Sequence, residues 1–197
     1  EKFSLEGKKA IVTGGARGLC FGMAQALHDA GAEVVLLDIL DVVEVSAKKM
    51  GESGAPVHAV KADLSKKDDL ERGYQEGLDK LGGHLDILLN GAGIQYRCPA
   101  VDFPCEKWQK ITKALSNEWA AEGVTVNAIA PGYMATELTE NMKEVNPKQY
   151  DEITGRIPMG RWGKIEDLQG TVVFLASEAA SYISGAVIPV DGGFLGK

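Results

Sequence analysis

The chain is short of the residues that mark several large function classes. It has three cysteines (Cys20, Cys98 and Cys105) and three histidines in 197 residues. Three thiols cannot all pair, and no CxxC or Cys/His cluster occurs, so neither a disulfide scaffold nor a metal site is expected. Such cysteine usage fits a reducing cytoplasm. No block of Lys or Arg occurs and the net charge is −7, so nucleic acid and anionic membrane are not expected as partners. No run approaches the roughly 20 apolar residues of a membrane span. The opening EKFSLEGKKAIVTGG has no basic start before an apolar stretch, so no signal peptide is expected. Repeats and low-complexity tracts are absent as well, and His28, His58 and His84 are too scattered to carry chemistry together.

What is present is an alternation. Short, β-branched, almost wholly apolar runs fall at 8–14, 32–38, 56–63, 84–93, 124–131 and 186–193. Continuous apolar character predicts parallel strands covered on both faces. Helical stretches lie between them, at 18–30, 41–51, 66–81, 104–122 and 164–177. Gly31 and Gly123 stand where two of these helices must stop, because glycine takes the left-handed backbone that ends a helix. Alternating strands and helices with short joins predict a single α/β domain over 1–197, a doubly wound parallel sheet of the Rossmann type. In 108–119, WQKITKALSNEW, the spacing of Trp108, Ile111, Leu115 and Trp119 places all four on one helix face, expected to cover a core or an interface. Residues 137–163 are polar, punctuated by Pro and Gly, and follow a strand end, which predicts a mobile substrate lid.

After the first strand comes TGGARGLCFG, residues 13–22. Glycines there let the backbone approach a pyrophosphate, and the following helix offers free N–H groups and the positive end of its dipole. Asp38 ends the second strand 20 residues after Gly18, where a carboxylate can accept hydrogen bonds from an adenosine ribose. A carboxylate at that point repels a 2′-phosphate, which favours NAD over NADP. Arg17 argues mildly the other way, since a guanidinium can meet that phosphate.

These residues resemble the short-chain dehydrogenase/reductase family. TGGARGL matches the family's TGxxxGxG turn, with Cys20 in place of the third glycine. NGAG, 90–93, matches the family's NNAG at the end of the fourth strand. KADLS, IAPGYMATELT, RWGKIEDL and SGAVIPVDGG match further elements in the family's order. The resemblance implies a nicotinamide cofactor held by Gly14, Arg17, Gly18 and Leu19 at the turn, and by Asp38 at the ribose. Asp63 and Leu64 would back the adenine, with Asn90, Ala92 and Gly93 beside the adenosine half. Pro131 and Gly132 would flank the nicotinamide, whose carboxamide Thr136 would bond.

The family's proton relay is missing. It rests on Tyr-x-x-x-Lys, whose two side chains share a helix face so that the ammonium lowers the phenol's pKa from about 10. The fourth residue after each tyrosine is Leu78 for Tyr74, Ala100 for Tyr96, Glu137 for Tyr133, Thr154 for Tyr150 and Ala186 for Tyr182. No catalytic residue is therefore assigned. The family's order puts the relay, and the central strand before it, between about Lys110 and Ile111. Losing that strand would leave a hole in the sheet at a spacing of about 4.8 Å per strand. The sequence therefore predicts that Lys110 and Ile111, or a pair within two residues of them, are not joined. A segment on the order of fifty residues is expected between them, close to two units of about 30. A continuous helix through this point would exclude that reading.

Within the family, the resemblance is greatest to dehydrogenases of gluconate-type sugar acids. It implies reversible hydride transfer to or from a secondary alcohol or ketone of the acid. Gln95, Arg97, Glu137 and Arg156 (or Arg161) are candidates for holding the substrate, an arginine gripping its carboxylate by a bidentate pair. A 3-oxoacyl-carrier-protein reductase and a catalytically silent nucleotide sensor or scaffold remain alternatives. The resemblance also implies a homotetramer built through 104–122 and the last strand.

Overall fold

The computed structural model of the chain describes residues 2–93, 105–136, 139 and 141–196. The chain divides into two compact units, Glu1–Ile94 with Val172–Glu178, and Gln95–Thr171 with Ala179–Lys197.

In the first unit four strands form one parallel sheet in the order β3-β2-β1-β4: β1 (Lys9–Thr13), β2 (Glu33–Asp38), β3 (Val57–Lys61) and β4 (Ile87–Asn90). The chain moves outward from β1 to β3, then returns to the opposite side of β1. That reversal creates a switch point between the carboxyl ends of β1 and β4, the place where such sheets admit ligands. Val12, Val34, Val35 and Leu36 have no exposed surface, as expected of strands covered on both faces. Ile11, Val35, Leu37, Val60, Ala62 and Leu81 form the core on one face, with Leu64 and Leu85 packed against it. α3 (Lys67–Lys80) approaches that core through Gly73 and Gly77; a Cβ on Gly73 would stand 2.5 Å from that of Ala62. α1 (Gly18–Asp29) and α2 (Val42–Met50) also pack on the strands. α1 gives way to Gly31 at φ 108°, the left-handed conformation expected there. β4 is the last strand of this sheet among the described residues, and its Leu88 is 46% exposed.

The second unit holds β5 (Ala128–Pro131) and β6 (Val187–Val190), paired in parallel as a separate two-stranded sheet. The parallel α/β fold is thus as the sequence predicts, with its strands divided between two sheets, β4 ending one and β5 belonging to the other. α4 (Cys105–Trp119) runs unbroken through Lys110 and Ile111. The expected break in the chain there is overturned: the two helical segments form one continuous helix.

The face of α4 differs from expectation too. Ile111 and Trp119 are 51% and 39% exposed, while Thr112 and Ser116 are buried. Ser116 shares a hydrogen bond of 2.6 Å with Ser184, ahead of β6, and so turns the polar side inward. The side chain of Trp108 lies outside the described residues.

Residues 137–163, read from the sequence as a mobile lid, contain α5 (Met142–Val145) and α6 (Pro147–Arg156) among the described residues. Ile153, Ile157 and Trp162 are buried against Met142, Tyr150 and Phe194. Trp162 stacks on Tyr150 at 5.1 Å and donates its indole N–H to Thr154. α7 (Glu166–Ala176) follows. No helix among the described residues is long and apolar enough to cross a membrane.

Candidate functional site

Register brings the sequence-predicted nucleotide residues together at the carboxyl edge of the four-stranded sheet. Thr13 is level with Leu37 on one side and Asn90 on the other, so the glycine turn, the acid ending β2 and the NGAG segment emerge side by side. Gly14 has φ 69°, and a Cβ there would lie 3.0 Å from the backbone of Ala92. Only a residue without a side chain lets the turn pass so close to the end of β4. Gly14 and Gly15 both donate N–H bonds to the Leu37 carbonyl. Gly18 opens α1, whose N-cap residue Arg17 is exposed and supplies no side-chain cap. The first turn of a 12-residue helix is therefore left without a side-chain acceptor, the arrangement that attracts an anion. Leu19 is half-buried behind it.

Asp38 is 8% exposed. One carboxylate oxygen accepts the Ala16 N–H at 3.0 Å and the other accepts the Leu40 N–H at 3.0 Å. The acid thus braces the glycine turn, and each oxygen keeps a second lone pair. Asp63 behaves differently. Its carboxylate accepts bonds from the backbone and hydroxyl of its neighbour Ser65 and pairs with Lys66 at 3.1 Å. The Ser65 hydroxyl first, and Lys66 second, hold its pKa below the usual carboxylate value. Leu64 packs toward the core beneath. Asn90, Ala92 and Gly93 are exposed at the end of β4.

Sequence reasoning missed the residues that hold this edge in place. The Thr13 hydroxyl accepts the N–H groups of both Gly91 and Ala92 at 3.1 Å, tying NGAG to β1. The Ser46 hydroxyl, on α2, donates to the Ala16 carbonyl at 2.7 Å and anchors the turn from the other side. Neither signal is visible in a motif, because each partner lies 30 or more residues away.

In the second unit Pro131 is exposed, and Gly132 donates its N–H to Val190 at 3.0 Å. Thr136 is locked to Thr139, its N–H donated to the Thr139 hydroxyl at 2.8 Å. A Cβ on Gly132 would fall 2.6 Å from the Asp191 Cα, a backbone atom that cannot swing away. Gly132→Ala is therefore expected to pry the ends of β5 and β6 apart. A loss of about 1–3 kcal/mol is expected, read as a fall in Tm of roughly 2–4 °C per kcal/mol.

A cleft of about 430 Å³ lies at this edge, with Tyr133, Met159, Arg161 and Asp191 in its walls. Arg161 is not free to grip a substrate carboxylate. It forms a two-pronged pair with Asp167 at 2.7 and 2.9 Å. Arg156 lies with its guanidinium 4.9 Å from the centroid of the Phe194 ring and remains exposed. Gln95, Arg97 and Glu137 lie outside the described residues.

The Arg161 guanidinium, followed by the Lys164 N–H, holds Asp167 well below the usual carboxylate range. A depressed folded-state pKa contributes stability that is full above the unfolded value, about 3.9, and is lost as pH falls toward the folded one. Both side chains are partly exposed, so the pair is expected to contribute no more than about 1 kcal/mol. Asp167→Asn should lower Tm at pH 7 by about 2–4 °C. Thermal curves of the two proteins should then begin to converge as pH falls below about 3.9, and meet only at the lower pH where the folded carboxylate itself takes up a proton.

Among the described residues no group of His, Cys, Asp or Glu could hold a metal ion. The uncapped start of α1, the close glycine turn and the buried acid fit a dinucleotide, with its pyrophosphate on the helix and a ribose at Asp38.

The chain is similar to known proteins along its whole length. The family described as short chain dehydrogenase matches residues 8–113, and that described as enoyl-(acyl carrier protein) reductase matches 109–195. A 2-dehydro-3-deoxy-D-gluconate 5-dehydrogenase of Bacillus subtilis is 32% identical, the alignment covering 100% of this chain and 98% of that one. A gluconate 5-dehydrogenase of Gluconobacter oxydans is 30% identical over 97% and 96% of the two chains. Among solved structures, a protein of Agrobacterium tumefaciens provisionally assigned as a 2-deoxy-D-gluconate 3-dehydrogenase, with bound NADP, superposes with a TM-score of 0.81. It is 31% identical and covered along 100% of both chains. The Bacillus alignment runs over 252 positions against the 197 residues present here, leaving 55 positions without a counterpart. The two family matches change over at 109–113, inside α4.

Proposed function

This chain belongs to the short-chain dehydrogenase family, whose chemistry is nicotinamide-dependent oxidation and reduction, and from that premise we propose that it binds NAD(H) in service of hydride transfer to or from a gluconate-type sugar acid. The observation that carries the cofactor half is Asp38, a buried carboxylate bonded to the amide of the glycine turn it faces. Its remaining lone pairs suit two ribose hydroxyls and oppose a 2′-phosphate. Arg17 is the one cation of the turn itself, and the preference for NAD over NADP rests on Asp38 outweighing it.

The N–H groups of Gly18 and Leu19 at the start of α1, with Gly14 leaving room, would hold the pyrophosphate. Asp63 and Leu64 would flank the adenine. Asn90, Ala92 and Gly93 would line the adenosine half, and Pro131, Gly132 and Thr136 the nicotinamide. When bound, the cofactor supplies the hydride donor or acceptor. Arg156, with Gln95, Arg97 and Glu137, would orient the acid, and residues 137–163 would act as its lid around the Trp162 cluster. A cytoplasmic homotetramer fits the solvent-facing Ile111 and Trp119 of α4 and the exposed Leu195.

A second reading is favoured by one observation. α4 is continuous and no tyrosine has a lysine four residues on, so the chain binds nucleotide without the proton relay and acts as a sensor or scaffold. A carrier-protein reductase is the weaker alternative, since it calls for NADPH and a basic docking face. Titration with NADH and NADPH, followed by intrinsic fluorescence, tests the common core of these readings. NADH is expected to bind at least tenfold more tightly. Failure of both to bind refutes the proposal, and tighter NADPH binding reverses its cofactor choice.

A further inference from the structure

Two positions depart from the family's nucleotide motifs, Cys20 where the third glycine of the turn stands and Gly91 where NNAG has its second asparagine. They are 71 residues apart in sequence and adjacent in space. A Cβ built on Gly91 would overlap the Cys20 Sγ, and it would also lie 3.1 Å from the Thr13 carbonyl oxygen. Position 91 cannot retreat, since its N–H and that of Ala92 are both bonded to the Thr13 hydroxyl. Rotating the thiol away would not remove the crowding, because the same point lies 3.3 Å from the Cys20 Cβ, which is fixed to the helix backbone.

We propose that Cys20 and Gly91 form a reciprocal pair, the thiol filling the volume that a side chain at 91 would need, and that together they set how closely the start of α1 approaches the end of β4. That spacing fixes where the start of α1, to which the pyrophosphate is assigned, stands beside the end of β4, so Cys20 is a positioning residue for it. The inference rests on the nucleotide-binding reading above. Burial first, and the charge of Asp38 second, push the Cys20 thiol up from its ordinary pKa. It therefore stays neutral beside the site and adds no charge against the phosphates.

The test is a cycle of four proteins: the parent, Cys20→Gly, Gly91→Asn and the double variant. Affinities for NADH, ADP and adenosine are measured by competition, and Tm in parallel. Gly91→Asn alone is expected to weaken NADH and ADP at least tenfold and to lower Tm. Cys20→Gly, which leaves the volume beside Gly91 empty, is expected to weaken NADH and ADP three- to tenfold, less than Gly91→Asn. The double variant is expected to return to within threefold of the parent and to recover Tm. Adenosine, which lacks the pyrophosphate, should lose clearly less affinity than ADP in Gly91→Asn and return to the parent's value in the double variant. Parent-like NADH binding by Gly91→Asn, or a double variant as weak as Gly91→Asn, overturns the pairing. A parallel loss of adenosine overturns the positioning role. If the parent binds none of these ligands, the proposed function fails, and the pair is judged by Tm alone: recovery in the double variant supports it, and additive losses refute it.

Discussion

The 197-residue chain is expected to reduce a gluconate-type ketone 10²- to 10⁴-fold more slowly than a full-length relative, while still binding NADH. That range is what a positioned general acid–base contributes. The alcohol or ketone oxygen must exchange a proton as hydride moves, and no described tyrosine is set up to do it. Tyr150 is stacked on Trp162, and the nearby Lys143 ammonium lies over its ring, 5.9 Å from the centroid. Tyr133 packs against Trp162 and Phe194 at 5.3 Å, and Tyr182 stands fully in solvent. Inserting a relative's corresponding segment between Lys110 and Ile111 should restore turnover by at least two orders of magnitude. Stopped-flow NADH oxidation measures both proteins. Turnover by the unextended chain at the relative's rate would show that another group moves the proton.

The second large effect is expected at Asp38. Asp38→Asn keeps the shape and an acceptor for the Ala16 N–H, loses the acceptor of the Leu40 N–H, and removes the charge that opposes a 2′-phosphate. NADH affinity should fall at least tenfold and NADPH affinity should rise, bringing the two within a factor of a few. Asp38→Ala should also destabilise the fold. It strands the Ala16 and Leu40 amides, each now bonded to the carboxylate, at about 1–3 kcal/mol for a buried donor left unmade. Calorimetric titration of the two variants separates charge from bracing. If the Asp38→Asn variant discriminates as the parent does, the preference does not come from this carboxylate.

The strands and the nucleotide turn were legible because each is encoded locally. The apolar runs announced parallel strands, buried on both faces in β1 and β2 and only partly covered in β4, β5 and β6; glycine fixed the end of α1, and Asp38 stood at the right distance from the turn. What escaped the sequence depends on partners. The stripe through Ile111 and Trp119 showed that α4 has an apolar face, and periodicity carries no information on whether anything covers it. In the structure Ser184 takes the adjoining face, through Ser116. The start of α6 was legible and went unread: Asn146 caps it by accepting the Gln149 N–H, and Pro147 occupies its first position. The bonds of Thr13 and Ser46, and the fit of Cys20 to Gly91, join segments that no local pattern relates. Of the substrate candidates read from the sequence, Gln95, Arg97 and Glu137 fall outside the described residues.

The outer flank of β4 has a consequence for how this protein behaves in solution. Among the described residues it is a parallel strand with amides and carbonyls on one side unmatched by a neighbour, and with Leu88 facing water beside them. Natural sheets shield such rims with lysine, proline or a bulge, because a naked rim templates further strands from other molecules. ILLN offers none of these guards. Crowded preparations of the chain should therefore coalesce edge to edge and scatter light well below the temperature at which the helices melt.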